Sequence, residues 1–203
     1  MELSKRQIIL QEAEYLVRTR GYSAFSFADL ADRAAITKAS VHYYFPTKED
    51  LITILVHEYL DRFVATLENI KQQHAAPGDR LLSYGQLFSD GFEKGMLPLC
   101  GALSAERAAL PEMMRQQVCS FFKIHLDWLV EVIEDGVMSG ALRTDVSPDR
   151  LAMLLLSVLE GGSLIGWAID QRASVLSGFA MVIRNLEVLT EGQEQRRIVN
   201  VDI

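Results

Sequence analysis

The residues of this chain whose chemistry is most informative lie close together, between Arg33 and Lys48. This window holds three cations and no carboxylate. Lys48 stands at the start of a predicted helix, where the positive end of the helix dipole favours a bound phosphate. The other polar side chains here can hydrogen-bond phosphate oxygens or base edges in a major groove; they are Lys38, Ser40, His42, Tyr43 and Tyr44. These residue types favour contact with nucleic acid.

The basic character of this window is not evident from the whole chain, whose formal net charge is −7 over 203 residues. The first 50 residues hold seven basic and seven acidic side chains, so the entire negative excess lies in residues 51–203. Attraction to phosphate acts within about one Debye length, ~10 Å in dilute salt. A local stretch without carboxylates is therefore compatible with DNA binding in an otherwise acidic protein.

Helix-start signals place these side chains on short helices. Candidate N-caps, two of them with a capping-box partner three residues on, precede four apolar-periodic segments; they are Ser4, Ser26, Thr37 and Thr47. A tight turn at Ala35 and Ile36 separates the second helix from the third. Residues 27–44 thus have the dimensions of a helix-turn-helix. Its inward-facing residues would be Leu30, Ala31, Ile36, Val41 and Phe45.

The remainder of the chain also shows helical periodicity. After a linker at residues 75–78, helices are predicted over 79–96, 99–109, 111–138, 148–170 and 174–190, and a polar tail follows from residue 193. No strand pattern or internal repeat is visible. We predict an all-α fold of about nine helices, with a three-helix domain in residues 1–50, a larger helical domain in residues 51–192 and a tail in residues 193–203.

The stretch from Gly21 to Leu51 resembles the DNA-binding domain of the TetR (tetracycline-repressor) family of bacterial transcriptional regulators. Its most specific part is the block VHYYFPTKEDL at residues 41–51. The chain departs from the family pattern at Ala35, where glycine is common, and at Phe27, where a small hydroxyl residue is common. The resemblance implies a regulator, most often a repressor, that binds a palindromic operator as a homodimer. It also implies phosphate or base contacts by Ser26, Lys38, Ser40, His42, Tyr43, Tyr44 and Lys48.

The family layout further implies a small-molecule effector bound within residues 79–170. Because no basic cluster marks this region, we expect a mainly apolar or amphipathic effector. The candidate ligand-binding residues are Phe88, Phe92, Met96, Cys100, Leu103, Phe121, Phe122, His125, Trp128 and Trp167. Further polar residues that could orient the effector are Glu106, Arg107 and Glu160.

Segment 151–169 is apolar on almost every side, so it must be covered by its own domain or by a partner chain. Its glycines Gly161, Gly162 and Gly166 would permit close helix approach or leave room for a ligand. With the next helix, which carries Leu176, Phe179, Val182, Ile183, Leu186 and Leu189, it could form a four-helix dimer bundle. A buried monomer core is the alternative.

Other functions follow less well from the sequence. Cys100 lies at a predicted helix N-terminus, which would lower its thiol pKa and suit an electrophile- or oxidant-sensing repressor. The alternative is that Cys100 is a small buried hydrophobic side chain. Cys119 is predicted to be core. No catalytic motif is present, so we predict no enzyme, no metal and no cofactor. A helical protein-interaction adaptor remains an alternative. No apolar run reaches the roughly 18 residues that cross a bilayer, and we expect a cytoplasmic protein without a membrane partner.

Overall fold

The computed structural model describes residues 4–170 and 175–187, apart from the side chain of Phe92. Within these ranges the chain forms nine α-helices and one short 3-10 turn. The helices are α1 (Lys5–Arg20), α2 (Phe27–Arg33), α3 (Lys38–Tyr44), α4 (Lys48–Gln73), α5 (Pro77–Glu93), α6 (Leu99–Ala105), α7 (Glu112–Met138), α8 (Pro148–Ala168) and α9 (Val175–Leu186). The predicted all-α class is confirmed.

The four predicted caps each satisfy free backbone N–H groups at a helix start, as N-caps do. The Ser4, Ser26 and Thr47 hydroxyls accept from the backbone three residues on, and the side chains of Gln7, Asp29 and Asp50 accept from the cap N–H in return. The Thr37 hydroxyl accepts from the N–H of Ser40. Local sequence therefore sets where the first four helices begin.

Helices α2 and α3 form the predicted helix-turn-helix. Leu30, Val41 and Phe45 are fully buried between them and the flanking helices. Ala31, which has a small side chain, is buried in α2. Its backbone carbonyl oxygen accepts a hydrogen bond from the N–H of Ile36, which closes the turn. Ala35 has a φ of 51° in this turn, a left-handed conformation that glycine adopts more readily.

The larger body is built from α4 to α9. Helix α4 belongs to both parts, because its Glu58 pairs with Arg6 of α1 at 2.7 Å while Phe63 packs on Phe121 of α7. Helix α9 packs on α5, where the Phe179 ring lies against Gly85. A side chain at Gly85 would meet this ring at 2.7 Å. The body is thus a bundle with aromatic side chains at its centre.

The structure corrects several details of the sequence prediction. Helix α5 begins at Pro77, so the linker is shorter than predicted, and the helix predicted over 99–109 ends at Ala105 and continues only as a 3-10 turn. Cys119 is exposed rather than core. The predicted tail at 193–203 and Leu189 lie outside the described residues.

Helix α8 is long and apolar enough to cross a membrane by length and composition, contrary to the sequence prediction. Such helices also form the cores of proteins that do not span membranes. In this chain Leu155, Leu156 and Leu159 of α8 are buried in the helical body. We therefore assign α8 to the bundle.

Candidate DNA-binding surface and ligand cavity

Helix α3 presents most of its polar side chains outward. Lys38 and His42 are exposed, and Tyr43 is 82% exposed. The ring of Tyr43 meets the ring of Tyr44 edge-on, with the centroids 5.1 Å apart. Ser40 is half-buried, and its hydroxyl lies 2.9 Å from the hydroxyl of Thr37. The structure therefore gathers five of the predicted DNA-contact residues on one short helix, with Tyr43 the most exposed of them.

Two of the predicted contact residues also have structural partners. The hydroxyl of Ser26 is engaged in the α2 cap, where it donates to Asp29 at 2.6 Å. The His42 ring packs edge-on against buried Phe27 at 4.9 Å, and its Nδ1 lies 3.3 Å from the carbonyl oxygen of Pro46. Phe27 therefore fills the core where the family often has a hydroxyl side chain.

Lys48 points into the N-terminal domain. Its ammonium donates to the carbonyl oxygen of Phe25 and lies 4.0 Å from the centre of the Phe25 ring and 4.8 Å from that of Tyr22. Burial lowers the pKa of this ammonium, and nearby Glu106 partly opposes that effect. In this conformation the ammonium must leave these partners before it can reach a phosphate.

The N-terminal domain is bonded to the body at a second place besides α4. Arg18 Nε donates to the carbonyl oxygen of Leu97 at 2.6 Å, and the N–H of Leu97 donates to the carbonyl oxygen of Arg18 at 3.1 Å. The N–H of Ser23 donates to Glu106 Oε2 at 2.9 Å. Gly21 makes room for this carboxylate, since a Cβ there would lie 2.1 Å from Glu106 Oε1. Glu106 thus contacts the N-terminal domain rather than the cavity.

A cavity of about 330 Å³ opens between α4, α5, α7 and α8, and Arg18 of α1 and the connection between α5 and α6 complete its wall. Several predicted ligand residues line it, namely Phe88, Met96, Phe121 and His125, together with Glu160. Its other lining residues were missed by the sequence analysis, which sought the pocket only within 79–170. The missed set includes Arg18 of α1 and Tyr59, Arg62, Phe63 and Thr66 of α4. The four-residue spacing of Tyr59 and Phe63 on one helical face was the available signal.

The remaining predicted ligand residues lie outside this lining. Leu103 is buried in the core, Phe122 is half-buried there, and Trp128 stacks on Tyr84 at 5.2 Å. Trp167 is partly exposed on α8, and the side chain of Phe92 is outside the described residues. Cys100 does lie in the first turn of α6, but its side chain is fully buried. Burial raises the pKa of this thiol, so the dipole effect expected from the sequence does not dominate.

His125 occupies the aromatic wall of the cavity. Its ring stacks on Phe63 at 4.2 Å and meets Phe121 edge-on at 4.3 Å. Its Nδ1 is hydrogen-bonded to the hydroxyl of Tyr84, whereas its buried Nε2 has no hydrogen-bond partner among the described residues. Burial lowers the pKa of His125 to about 3, so the ring is neutral at physiological pH.

Glu160 enters the cavity from α8. Its Oε1 is buried and has no hydrogen-bond partner in the described part of the chain. Burial raises the pKa of this carboxyl to about 7. A buried polar atom without a partner is costly, and both Glu160 Oε1 and His125 Nε2 belong to residues that line one cavity, which is therefore the candidate ligand site.

Part of α8 and α9 forms an exposed apolar face. Ile165 is 62% exposed, and Met153, Leu154, Leu164 and Met181 are also more than half exposed. A Cβ at Gly161 or Gly178 would meet nothing within 4 Å. Gly162, in contrast, faces Val175 of α9 at 3.6 Å, so this glycine lies at a contact within the chain. We name the exposed surface of α8 and α9 the open face.

A family model described as bacterial regulatory proteins of the tetR family matches residues 9–53. Two solved TetR-family regulators superpose on nearly the whole chain. One from Agrobacterium tumefaciens is 26% identical, with a TM-score of 0.83 and coverage of 91% of this chain and 98% of that chain. One from Legionella pneumophila is 27% identical, with a TM-score of 0.83 and coverage of 92% and 100%. The N-terminal domain therefore matches the TetR family in sequence, and the chain has the fold of TetR-family regulators over nearly its whole length.

The curated relatives agree with this assignment over most of the chain's length. The HTH-type transcriptional repressor DhaR of a Mycobacterium strain is 24% identical over 179 residues, which is 88% of this chain and 89% of that protein. The fatty acid metabolism regulator protein of Bacillus subtilis is 22% identical over 185 residues, 91% of this chain and 93% of that protein. TetR-family proteins are DNA-binding transcription factors rather than enzymes, as the sequence predicted.

Proposed function

We propose that this TetR-family regulator is a repressor that binds a palindromic operator as a homodimer and is released by a small effector. The polar surface of α3 is the observation that supports the DNA-binding part of this proposal. A short recognition helix that presents Lys38 and Tyr43 outward is suited to a major groove. The protein would act in the cytoplasm, where its operator is.

The open face supports the homodimer. Exposed apolar side chains in one patch are costly in water, and a second copy of the same face can cover them. Helices α8 and α9 of two protomers would then form a four-helix bundle, with Gly161 and Gly178 allowing close approach. Two-fold symmetry of this bundle gives two recognition helices, and hence a palindromic operator.

Release by an effector is supported by the position of the cavity. Its wall includes Tyr59 and Phe63 of α4, the helix that begins in the N-terminal domain. It also includes Arg18, which is bonded to Leu97. An effector that displaces these side chains would move the N-terminal domain and change the spacing of the two recognition helices. By linkage, DNA must weaken effector binding by the same factor.

The DNA-binding proposal can be tested without knowing the operator. The protein is used to select sequences from a pool of random duplex DNA, and binding of the selected sequence is measured by electrophoretic shift. We expect an inverted repeat, and loss of binding on Tyr43→Ala. Met113→Ala, which changes an exposed side chain of α7, is the matched control. Enrichment of no sequence, or equal binding by Tyr43→Ala, would contradict the proposal.

A further inference from the structure

We propose that the cavity takes an uncharged, hydroxylated ring compound, whose apolar rings pack on the aromatic wall and whose hydroxyl bonds to His125 and Glu160. This inference rests on the proposed effector role of the cavity and specifies the chemistry of the effector. It begins from two polar atoms, His125 Nε2 and Glu160 Oε1. Both are buried, both belong to residues that line the cavity, and neither has a partner among the described residues.

The polar atom that His125 presents is fixed by its neighbours. The Tyr84 hydroxyl holds Nδ1, and the flanking rings of Phe63 and Phe121 hold the plane of the imidazole. Only Nε2 remains for a ligand. A hydroxyl group can donate to this nitrogen or accept from it, so it satisfies His125 in either neutral tautomer. It can likewise donate to the carboxylate of Glu160 or accept from the carboxylic acid.

The charges around the cavity disfavour an ionic ligand. A buried anion would be repelled by Glu160, and the two arginines of the lining already share Glu14, each at 3.0 Å. An ammonium would be attracted by Glu160 and by Asp90 at the rim but repelled by Lys94, and burial raises the pKa of Glu160 to about 7, which weakens its attraction for a cation. Because burying an uncompensated charge costs more than burying a hydrogen-bonded hydroxyl, a neutral ligand is favoured.

The apolar part of the ligand is set by the aromatic wall and the volume. Phe63, Phe88 and Phe121 supply ring surfaces, and Met96 supplies a polarisable side chain that adapts to shape. About 330 Å³ is near the lower end of the range for small-molecule sites. One or two rings therefore match the site better than a long acyl chain or a nucleotide.

A matched series of probes tests the proposal on the full chain without DNA. The probes are 2-naphthol, 2-naphthoate, 2-naphthylmethylammonium and naphthalene, which share the rings and differ in the polar group. Binding is measured by ligand-observed NMR titration at neutral pH. We expect 2-naphthol to bind about tenfold to a hundredfold more tightly than naphthalene, the value of two neutral hydrogen bonds. We expect both ionic probes to bind more weakly than 2-naphthol.

Two variants locate the contact. His125→Phe keeps a ring in the aromatic wall and should weaken 2-naphthol by about threefold to tenfold while leaving naphthalene unchanged. Glu160→Leu should act in the same direction. Glu131→Gln changes an exposed carboxylate of α7 that does not line the cavity and is the control. Each variant is checked for unchanged helical circular dichroism, so that a folding defect is recognised separately.

The proposal would be overturned if 2-naphthoate or the ammonium probe bound more tightly than 2-naphthol. Equal binding of all four probes, or binding of none, would also overturn it. An unchanged preference for 2-naphthol in both variants would also overturn it. Because these titrations contain no DNA, their outcome is independent of operator binding. Failure of the repressor proposal would appear instead in the electrophoretic shift.

Discussion

Replacing Glu160 by glutamine measures the cost of burying a carboxylate in the body. This carboxyl titrates near 4.5 in the unfolded chain, and burial raises its pKa to about 7 in the folded protein. Between these values the folded state retains a proton that the unfolded state has lost. The free energy of unfolding therefore falls as the pH rises, by up to roughly 3 kcal/mol over the full interval. Glutamine does not titrate and removes this loss.

His125 imposes the opposite dependence. Its pKa is 6.5 in the unfolded chain and about 3 in the folded protein because the ring is buried. Over that interval the unfolded state binds the proton, so the free energy of unfolding rises with pH. The two intervals overlap between pH ~4.5 and ~6.5. There the contributions of Glu160 and His125 to the free energy of unfolding change with pH in opposite directions, each by about 1.4 kcal/mol per pH unit. Their contributions to the parent protein should nearly cancel there.

The Glu160→Gln variant should consequently show a steeper rise in stability than the parent across the overlap. Relative to the parent, it should gain roughly 3 kcal/mol between pH ~4.5 and pH ~7. Urea unfolding followed by circular dichroism at a series of pH values, at one protein concentration, measures this difference. Glu68→Gln, an exposed change on α4, is the control. If Glu160→Gln and the parent differed by a constant amount at every pH, the assigned burial effect would be refuted.

Three further predictions concern the DNA-binding domain and the open face. Ile165→Asp should convert the proposed dimer into a monomer in sedimentation, whereas Met113→Asp should not; a dimer in both would refute the open face as the interface. Lys38→Ala should reduce the slope of log affinity for DNA against log salt concentration by about one. Lys48→Ala should lower the free energy of unfolding by about 1 kcal/mol, because the contacts of its ammonium are lost. If Lys48→Ala also reduced the salt slope, its ammonium would reorient onto a phosphate in the DNA complex. Ala35→Gly should raise the midpoint of thermal unfolding by relieving the positive φ, and a lower midpoint would contradict the strain argument.

The helices and the helix-turn-helix could be predicted because their signals are local. A hydroxyl cap such as Thr47 and its partner three residues later specify a helix start through bonds within one turn. The inward residues of α2 and α3 follow from helical periodicity alone. The outward face of α3 could be predicted for the same reason, since Lys38 and Tyr43 lie on the face that this periodicity leaves outside.

The cavity was only partly predictable, because its walls come from helices that are distant in sequence. Periodicity identifies Tyr59 as an inward residue of α4 but does not show whether it meets core or cavity. Lys48 and Cys100 illustrate a second limit. Their positions at helix starts suggest electrostatics near the surface, yet tertiary packing turns the first inward and buries the second. Such burial depends on neighbours that local sequence does not specify.

The hydrogen bonds that join the N-terminal domain to Leu97 and Glu106 affect whether this domain can be exchanged between related regulators by gene fusion. A gene fusion made before Thr47 would transfer Arg18 and Ser23 to a new body and leave both of their partners behind. The body of the other regulator would then have to present a free carbonyl and a carboxylate at matching positions. Exchange of operator specificity between relatives by simple transplantation is thereby restricted. The segment at residues 97–106 must be inherited together with the N-terminal domain, although the whole of α4 and α5 lies between them in the chain.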